Sequence, residues 1–314
     1  MEESILRPRA AVVGGVNIDI GGTARAPLVM GDSNPGAVRF SLGGVGRNIA
    51  HNLSLLGVDV RLLTALGEDL WASRIEGSCA LLGIDLTLSL IVPGSSTSTY
   101  LYLAEPEGDM ALAVSDMDIY ERLTPAALEP RLPRLQEAQV LVLDANLPSE
   151  TIAWLCDRVT VPIFADAVSA AKAGRLRGVL GKLHTLKPNR LEAELLSGVA
   201  IHDERSLHRA ADALLETGLR RVFISLGADG VLAAEADTRL RLPAAQGPHV
   251  NTTGCGDAFL AALVWAQLRG LDLADSARAG VAAAAVAMAD AETVSPRMSA
   301  QTLLAGMNEQ ASIE

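Results

Sequence analysis

Apolar runs alternating with helical periodicities set the rhythm of this chain. Ala10–Val16 is a short apolar run that closes through Gly14-Gly15 and meets Asn17 and Asp19. It predicts a buried strand with polar groups at its carboxyl end. After Gly43-Gly44-Val45-Gly46, the residues Ile49, Ala50, Leu53 and Leu56 recur at helical spacing until Gly57, which predicts a helix with a glycine stop. Val58–Ala65 reads as the next strand, Asp69–Leu82 as a helix stopped by Gly83, and Leu86–Val92 as another strand.

From Gln139 onward strand and helix alternate. Val140–Leu143, Val161–Ala165, Thr185–Leu186 and Arg221–Ser225 read as strands, with helices near 149–158, 189–197 and 203–217. That order predicts a parallel sheet with helices on both faces. Val231–Ala234 and Arg239–Leu242 read as an antiparallel pair at its edge, and three helices near 255–269, 272–289 and 299–311 finish the chain. Two stretches break the rhythm. Residues 20–41 are rich in Gly, Pro and Ser, and 95–115 is β-rich around the turn Glu107-Gly108-Asp109. Together they predict a small β sheet attached to a single α/β domain spanning 1–314.

In an open parallel sheet, ligands sit outside the carboxyl ends of the strands. Asn17, Asp19, Asp144, Asn146, Asp166, Asn189, Glu192 and Gly227 all follow apparent strands, so the architecture gathers them along one edge.

Composition narrows the class. Hydrophobic residues make up 49% of 314 and charged residues 20%, enough for a large core and unlike a disordered chain. A net charge of −11 without any basic run speaks against a nucleic-acid surface. The three cysteines, Cys79, Cys156 and Cys255, are widely spaced and suggest neither a disulfide framework nor a zinc site. The acidic start Met1-Glu2-Glu3 does not suit a signal peptide, and Val281–Ala289 is too short to cross a bilayer. The expectation is a soluble, cytoplasmic protein with a small-molecule substrate.

Four segments carry candidate chemistry. In Asn251-Thr252-Thr253-Gly254-Cys255-Gly256-Asp257, small residues open a helix whose first N–H groups lack internal partners and carry partial positive charge. Phosphate can approach a backbone with no side chain, and an Asp in the same turn can take a proton from a hydroxyl. Alone, the segment better suits a capped helix start. Ser41-Leu42-Gly43-Gly44-Val45-Gly46-Arg47-Asn48 lets a ligand touch backbone, with Asn48 as both donor and acceptor. It also looks like a dinucleotide fingerprint, but no clean strand precedes it and no acidic residue closes the next strand. In Lys187-Pro188-Asn189-Arg190-Leu191-Glu192, Asn189 and Glu192 share a face three residues apart. They suit water-mediated Mg²⁺ or a reciprocal helix cap. Ser225-Leu226-Gly227-Ala228-Asp229-Gly230 turns tightly after a strand, beside a nucleotide or simply as a hairpin. None of the five histidines stands in a metal-spaced pair, and there is neither a Walker A loop nor a nucleophile elbow.

Taken together and in this order, these segments resemble the PfkB, or ribokinase-like, carbohydrate kinase family over nearly the whole chain. Gly43–Asn48 matches its first signature and Asn251–Asp257 its second. The resemblance implies a central, mostly parallel sheet flanked by helices, with 20–41 and 95–115 forming a β lid. It implies ATP and Mg²⁺, Asp257 as catalytic base, and the backbone of Gly254, Cys255 and Gly256 as an anion hole. Asn17, Asp19, Gly43, Gly44 and Asn48 would hold sugar hydroxyls. Lys187, Asn189, Glu192, Ser225, Gly227 and Gly230 would lie along ATP, with Glu192 reaching Mg²⁺ through water. Asn251 and Thr253 would stand at a K⁺ site, where many members carry Asp in place of Asn251 and so bind the cation more strongly. Cys255 replaces a common Ala, a change that keeps the backbone N–H the anion hole uses.

Within the family, Asp32–Gly36, Gly43–Asn48, Ser98-Thr99-Tyr100, Asp116-Met117 and His184–Glu194 are similar to the pseudouridine kinases. That implies transfer to the 5′-hydroxyl of pseudouridine, with Asp32, Ser33, Asn34, Thr97, Ser98 and Tyr100 near the base. Ribose, uridine, inosine and adenosine stand as alternative acceptors. A non-catalytic nucleoside-binding protein on the same fold is the rival of another class, and Asp257 and Glu192 argue against it. The family also implies a homodimer with lids meeting.

Overall fold

Strand β1 (Arg9–Val13) buries every residue but its first, and β10 (Val140–Asp144) and β11 (Ile163–Asp166) bury all of theirs. Parallel strands covered on both faces read as continuous apolar runs, not as alternation. The computed structural model describes residues 7–311, and the acidic start Met1-Glu2-Glu3 lies outside them. Between β1 and β10 come β2 (Asn17–Ala24), β3 (Gly36–Gly43), β4 (Asp59–Leu63), β5 (Ala65–Leu66), β6 (Ile84–Asp85), β7 (Leu90–Ile91), β8 (Thr99–Ala104) and β9 (Met110–Asp116). After β11 come β12 (Thr185–Leu186), β13 (Arg221–Ser225), β14 (Val231–Glu235) and β15 (Thr238–Leu242).

The main sheet has nine strands in the order β15-β14-β13-β12-β11-β10-β1-β4-β6. All pairs from β13 to β6 are parallel, and β14 and β15 add an antiparallel edge. One face packs Val12, Ile49, Leu53 and Trp265, with the helices Val45–Leu55, Cys255–Leu268 and Leu273–Met288. The other packs Val13, Leu141, Leu155 and Leu207 against the helices Ser149–Arg158 and Glu204–Leu215. This is the doubly covered α/β architecture the alternation calls for.

The small sheet runs β3-β2-β8-β9, with β2 and β8 parallel and the outer pairs antiparallel. Its register sorts two rows. Phe40, Ile20, Leu101 and Val114 stand opposite one another on one face, and Ser41, Asp19, Tyr100 and Ser115 on the other.

Three local outcomes differ from the sequence pattern. Leu86–Val92 does not form one strand. Asp85 Oδ1 accepts the Thr87 N–H at 2.8 Å, and that turn separates β6, paired to β4, from β7, paired to β5. Val58–Ala65 likewise divides into β4 and β5 at Thr64. Short helical pieces fill 118–135 and 170–182, among them the 3₁₀ turns Asp118–Arg122 and Gly174–Lys182. Runs this short carry too few turns to show a 3.6-residue period.

Candidate active site

The helix Cys255–Leu268 starts at Gly254, whose φ is +83°. Any Cβ there would collide with the Thr293 carbonyl, so only glycine lets the chain turn into the helix at this point. The first turn presents N–H groups that the helix itself cannot use, and Asp257 sits within it.

Asp257 is 9% exposed and its Oδ2 accepts the Asn48 Nδ2 hydrogen at 2.8 Å. Burial, with the nearby Asp166 carboxylate next, pushes its pKa up to about 8 against the pull of Asn48 and Lys187. Asn48 arrives on the first turn of Val45–Leu55, and its Oδ1 is buried without a partner. A buried acceptor left open beside a buried carboxylate is suited to a substrate hydroxyl.

Lys187 follows β12 and its ammonium lies 3.3 Å from Asp166 Oδ2. A Cβ on Gly256 would stand 3.0 Å from Lys187 Nζ, so the ammonium hangs over the same first turn. Burial works to lower the Lys187 pKa, but Asp166, Glu192 and Asp257 outweigh it and hold it raised. Asp144 is fully buried and accepts the N–H groups of Gly15 at 2.7 Å and Asn146 at 2.9 Å. Burial pushes it up to about 6 despite those bonds. Asp144, Asp166, Asp257 and the Lys187 ammonium thus lie buried near one another, by the carboxyl ends of β10, β11 and β12.

The other expected residues fall into distinct places. Asn17 Nδ2 donates to Asp19 Oδ1 at 2.6 Å, and Gly43 lies against both side chains. Gly44, with φ +96°, crosses the backbone of Gly15 and Val16. Asn189 and Glu192 form a reciprocal cap on the helix Arg190–Ser197, and Glu192 Oε2 accepts the Asn189 N–H at 2.8 Å. Asn189 pairs with Ser225, whose N–H donates to Pro188, so the Lys187–Asn189 segment is tied to the Ser225–Gly230 turn. In that turn Gly230 touches the backbone of Leu242–Ala244.

Several sequence candidates are engaged elsewhere. The Thr97 hydroxyl donates to Asp69 and accepts from the Gly67 N–H. Asp32, Ser33 and Asn34 form an exposed loop that caps itself, with Asn34 Oδ1 on the Val29 N–H and Asp32 Oδ1 on the Ser33 N–H. Asn251 Oδ1 accepts the Thr253 N–H and its Nδ2 donates to the Ala291 carbonyl. An amide donor at that point does not suit a cation. Ser98 is fully buried, and Tyr100 stands beside Asp19 on the sheet face that carries it.

The sequence reading gave no role to four residues here. Asp144, Asn146 and Asp166 were legible only as polar residues after strands. Lys172 carried no signal at all. It follows β11 by six residues, and its Nζ donates to Asn146 Oδ1 at 2.6 Å and meets Met117 Sδ at 3.3 Å. A Cβ on Gly15 would stand 2.7 Å from Asn146 Nδ2, which places this pair beside the Gly14–Val16 floor.

A family model for the pfkB family carbohydrate kinases matches residues 7–300. The chain belongs to the pfkB family of carbohydrate kinases. It is an ATP-dependent phosphotransferase acting on an alcohol group of a sugar or nucleoside. Among relatives, it is 38% identical over 290 residues to the pseudouridine kinase of Escherichia coli K12, covering 92% of this chain and 93% of that one. It is also 38% identical over 297 residues to an uncharacterized sugar kinase of the same bacterium, YeiI, covering 93% and 82%. A solved putative sugar kinase from Clostridium perfringens superposes with a TM-score of 0.86 at 30% identity, covering 97% of this chain and 96% of that one.

Beside the Gly230 turn this kinase has a largely apolar cavity of about 550 Å³. It is lined by the 242–248 segment, by Ala282, Val286 and Ala289, and by the last helix at Thr302 and Ala305. Among the described residues no helix is long and apolar enough to cross a membrane.

Proposed function

We propose that this kinase transfers the γ-phosphoryl group of ATP to the 5′-hydroxyl of pseudouridine. Lys172 carries the nucleoside reading. Its ammonium is half-buried, makes no salt bridge among those found in the described residues, and borders the cleft through Asn146. Burial lowers its pKa, with Asp144 opposing, so an acceptor that meets its charge is favoured. The carbonyl oxygens of a pyrimidine-dione are stronger acceptors for it than the hydroxyl oxygens of a bare pentose. The whole-length similarity to a pseudouridine kinase supports the same choice.

Asp257 takes the hydroxyl proton while Asn48 holds its carboxylate in place. Lys187 and the first-turn amides from Gly254 onward face the charge on the transferring phosphoryl group. The apolar cavity beside Gly230 suits the adenine ring, which leaves Ser225 and Gly227 along the phosphates. Mg²⁺ fits Glu192 through water, since one carboxylate oxygen is held by Asn189 and the other is left for a hydration shell. When bound it neutralises phosphate charge. Asn251 and Thr253 do not fit K⁺, because the Asn251 amide is bonded on both sides.

A panel of pseudouridine, uridine, ribose, inosine and adenosine with ATP, read by ADP release, tests the acceptor. Pseudouridine should give the highest kcat/KM, and a preference for uridine or ribose would overturn the assignment. Lys172→Met should raise KM for the preferred nucleoside about tenfold, as loss of a hydrogen bond from a charged group does, and leave KM for ATP alone.

The apolar row of the lid is uncovered, with Val38 63%, Phe40 53% and Val114 61% exposed. A patch of this kind on a strand edge is an association surface. We infer that two copies meet lid to lid. Val114→Asp should turn a dimer into a monomer by light scattering. A wild type that is monomeric at micromolar concentration would refute it.

A further inference from the structure

Val168 is held in a backbone conformation that its side chain resists, with φ at +65°. Among the described residues the only other non-glycine with positive φ is Ala236, in the hairpin turn between β14 and β15. A β-branched side chain crowds its own backbone in that region, and it stays there only where its surroundings hold it. The Ser169 N–H donates to the Ala167 carbonyl at 2.7 Å, across Val168. A bond spanning two residues about a positive φ is the rarer, strained form of the γ-turn.

The hold comes from Asp166, the last residue of β11, which is 5% exposed. Its Oδ1 accepts the Val168 N–H at 2.7 Å. Its Oδ2 lies 3.3 Å from the Lys187 ammonium. One carboxylate thus serves the turn through one oxygen and the Lys187 side of the cleft through the other.

The turn leads directly to Lys172. Ser169 is the N-cap of the short helix Ala170–Ala173, and its carbonyl accepts the N–H groups of Lys172 at 3.0 Å and Ala173 at 2.8 Å. Just past that helix, Arg175 Nη1 donates to the carbonyls of Asn146 and Leu147, both at 2.9 Å. Arg175 therefore pins the far end of the helix, and the γ-turn sets its near end. Were Val168 to relax to a negative φ, the near end would swing about that anchor. The Lys172 ammonium, 2.6 Å from Asn146 Oδ1, would be drawn off it.

We propose that Asp166 and Val168 are positioning residues for Lys172. The Asp166 carboxylate keeps Val168 in a conformation it would otherwise leave, and that turn sets the Lys172 ammonium against Asn146 at the edge of the cleft. That the ammonium then meets the acceptor rests on the role proposed for Lys172 above.

Two substitutions at one position test the turn. Val168→Gly removes the side chain, takes a positive φ freely and keeps the N–H. Val168→Pro fixes φ at about −65° and has no N–H to give Asp166. The first readout needs no substrate. It is trace acetylation with acetic anhydride, with the Lys172 peptide quantified by mass spectrometry against the exposed Lys182. Lys172 should react about tenfold faster in Val168→Pro than in Val168→Gly, the scale of one hydrogen bond from a charged donor. Equal rates in the two would overturn the proposal. If Val168→Pro does not fold, Asp166→Ala answers the same question. Lys172 should then react faster than in the wild type, and adding Val168→Gly should slow it again, because glycine keeps the turn without help. A rate that glycine does not slow would overturn the proposal equally.

The acceptor that turns over best gives the second readout. Its KM should be about tenfold higher in Val168→Pro than in Val168→Gly, with KM for ATP the same in both. In a Lys172→Met background the two should coincide, since no ammonium remains to misplace. A difference that survives there would mean that the turn reaches the acceptor by another route, against the proposal. Acetylation rates that differ while acceptor KM values agree would uphold the turn and remove Lys172 from the acceptor site.

Discussion

Asp257→Asn is expected to lower kcat by about 10²–10⁴-fold, the usual share of a general base, with KM for ATP nearly unchanged. The same variant is expected to melt higher than the wild type. Both effects come from one feature, a carboxylate 9% exposed among like charges with a pKa raised to about 8. The sign is as follows. An unfolded Asp titrates near the ordinary carboxylate value, so between that value and about 8 the folded protein holds a proton that the unfolded chain gives up. Stability therefore falls as pH rises through this window and levels off above it. Asparagine has no proton to lose and should remove that fall, so the gap in melting temperature should widen from pH 5 to pH 8. The rate runs the other way. The base must be ionised, so kcat/KM for the acceptor should climb with pH, reach half its plateau near 8 and flatten above it. Asp166→Asn, which deletes the like charge that raises the Asp257 pKa most, should move that midpoint down. An Asp257→Asn variant that keeps most of its turnover would remove Asp257 as the base. One that melts below wild type at pH 8 would contradict the burial account.

How far the sequence revealed this site follows from the physics of each part. The doubly covered strands were legible because burial on both faces demands continuous apolar runs, as at Val140–Leu143. Gly254 and Asp257 stood out because a glycine turn into a helix leaves a visible signature. The charge cluster did not stand out. Asp144, Asp166 and Lys187 are distant in sequence, and only the parallel order β10-β11-β12 brings their carboxyl ends together. Lys172 sits on a short helical piece without periodicity, so no pattern marked it. Thr97 shows the converse. Its type and place suited a ligand, yet its hydroxyl is spent on Asp69 and Gly67, where it anchors a hinge strand to the N-terminus of the helix Leu70–Leu81. The capping role and the water-mediated Mg²⁺ role expected of Asn189 and Glu192 are compatible. The reciprocal cap occupies one Glu192 oxygen and orients the other.

Lys187→Met should be the most destabilising single change in the site. The ammonium is the counter-charge for Asp166, Glu192 and Asp257, all buried with it. Removing one partner of a buried ion pair costs about 3–5 kcal/mol, because the remaining charge is left uncompensated. In a chain of 314 residues each kcal/mol is worth roughly 1.5 °C of melting temperature, so a fall of about 5–8 °C is expected at pH 8. The loss should shrink toward pH 5. Without Lys187 the carboxylates take up protons more readily in the folded state, and a neutral carboxyl group needs no counter-charge. Turnover should drop about 10²–10³-fold as well, the scale seen when one donor to a developing charge is lost. Lys187→Arg separates the two roles. Its guanidinium keeps the charge, and so restores part of the stability. It is planar and larger than the ammonium packed between Asp166 and Gly256, so it should not restore turnover. A Lys187→Met protein with wild-type melting at every pH would show that the three carboxylates do not share its charge. Full activity in the arginine variant would show that charge alone, without the position over the first turn of Cys255–Leu268, is enough.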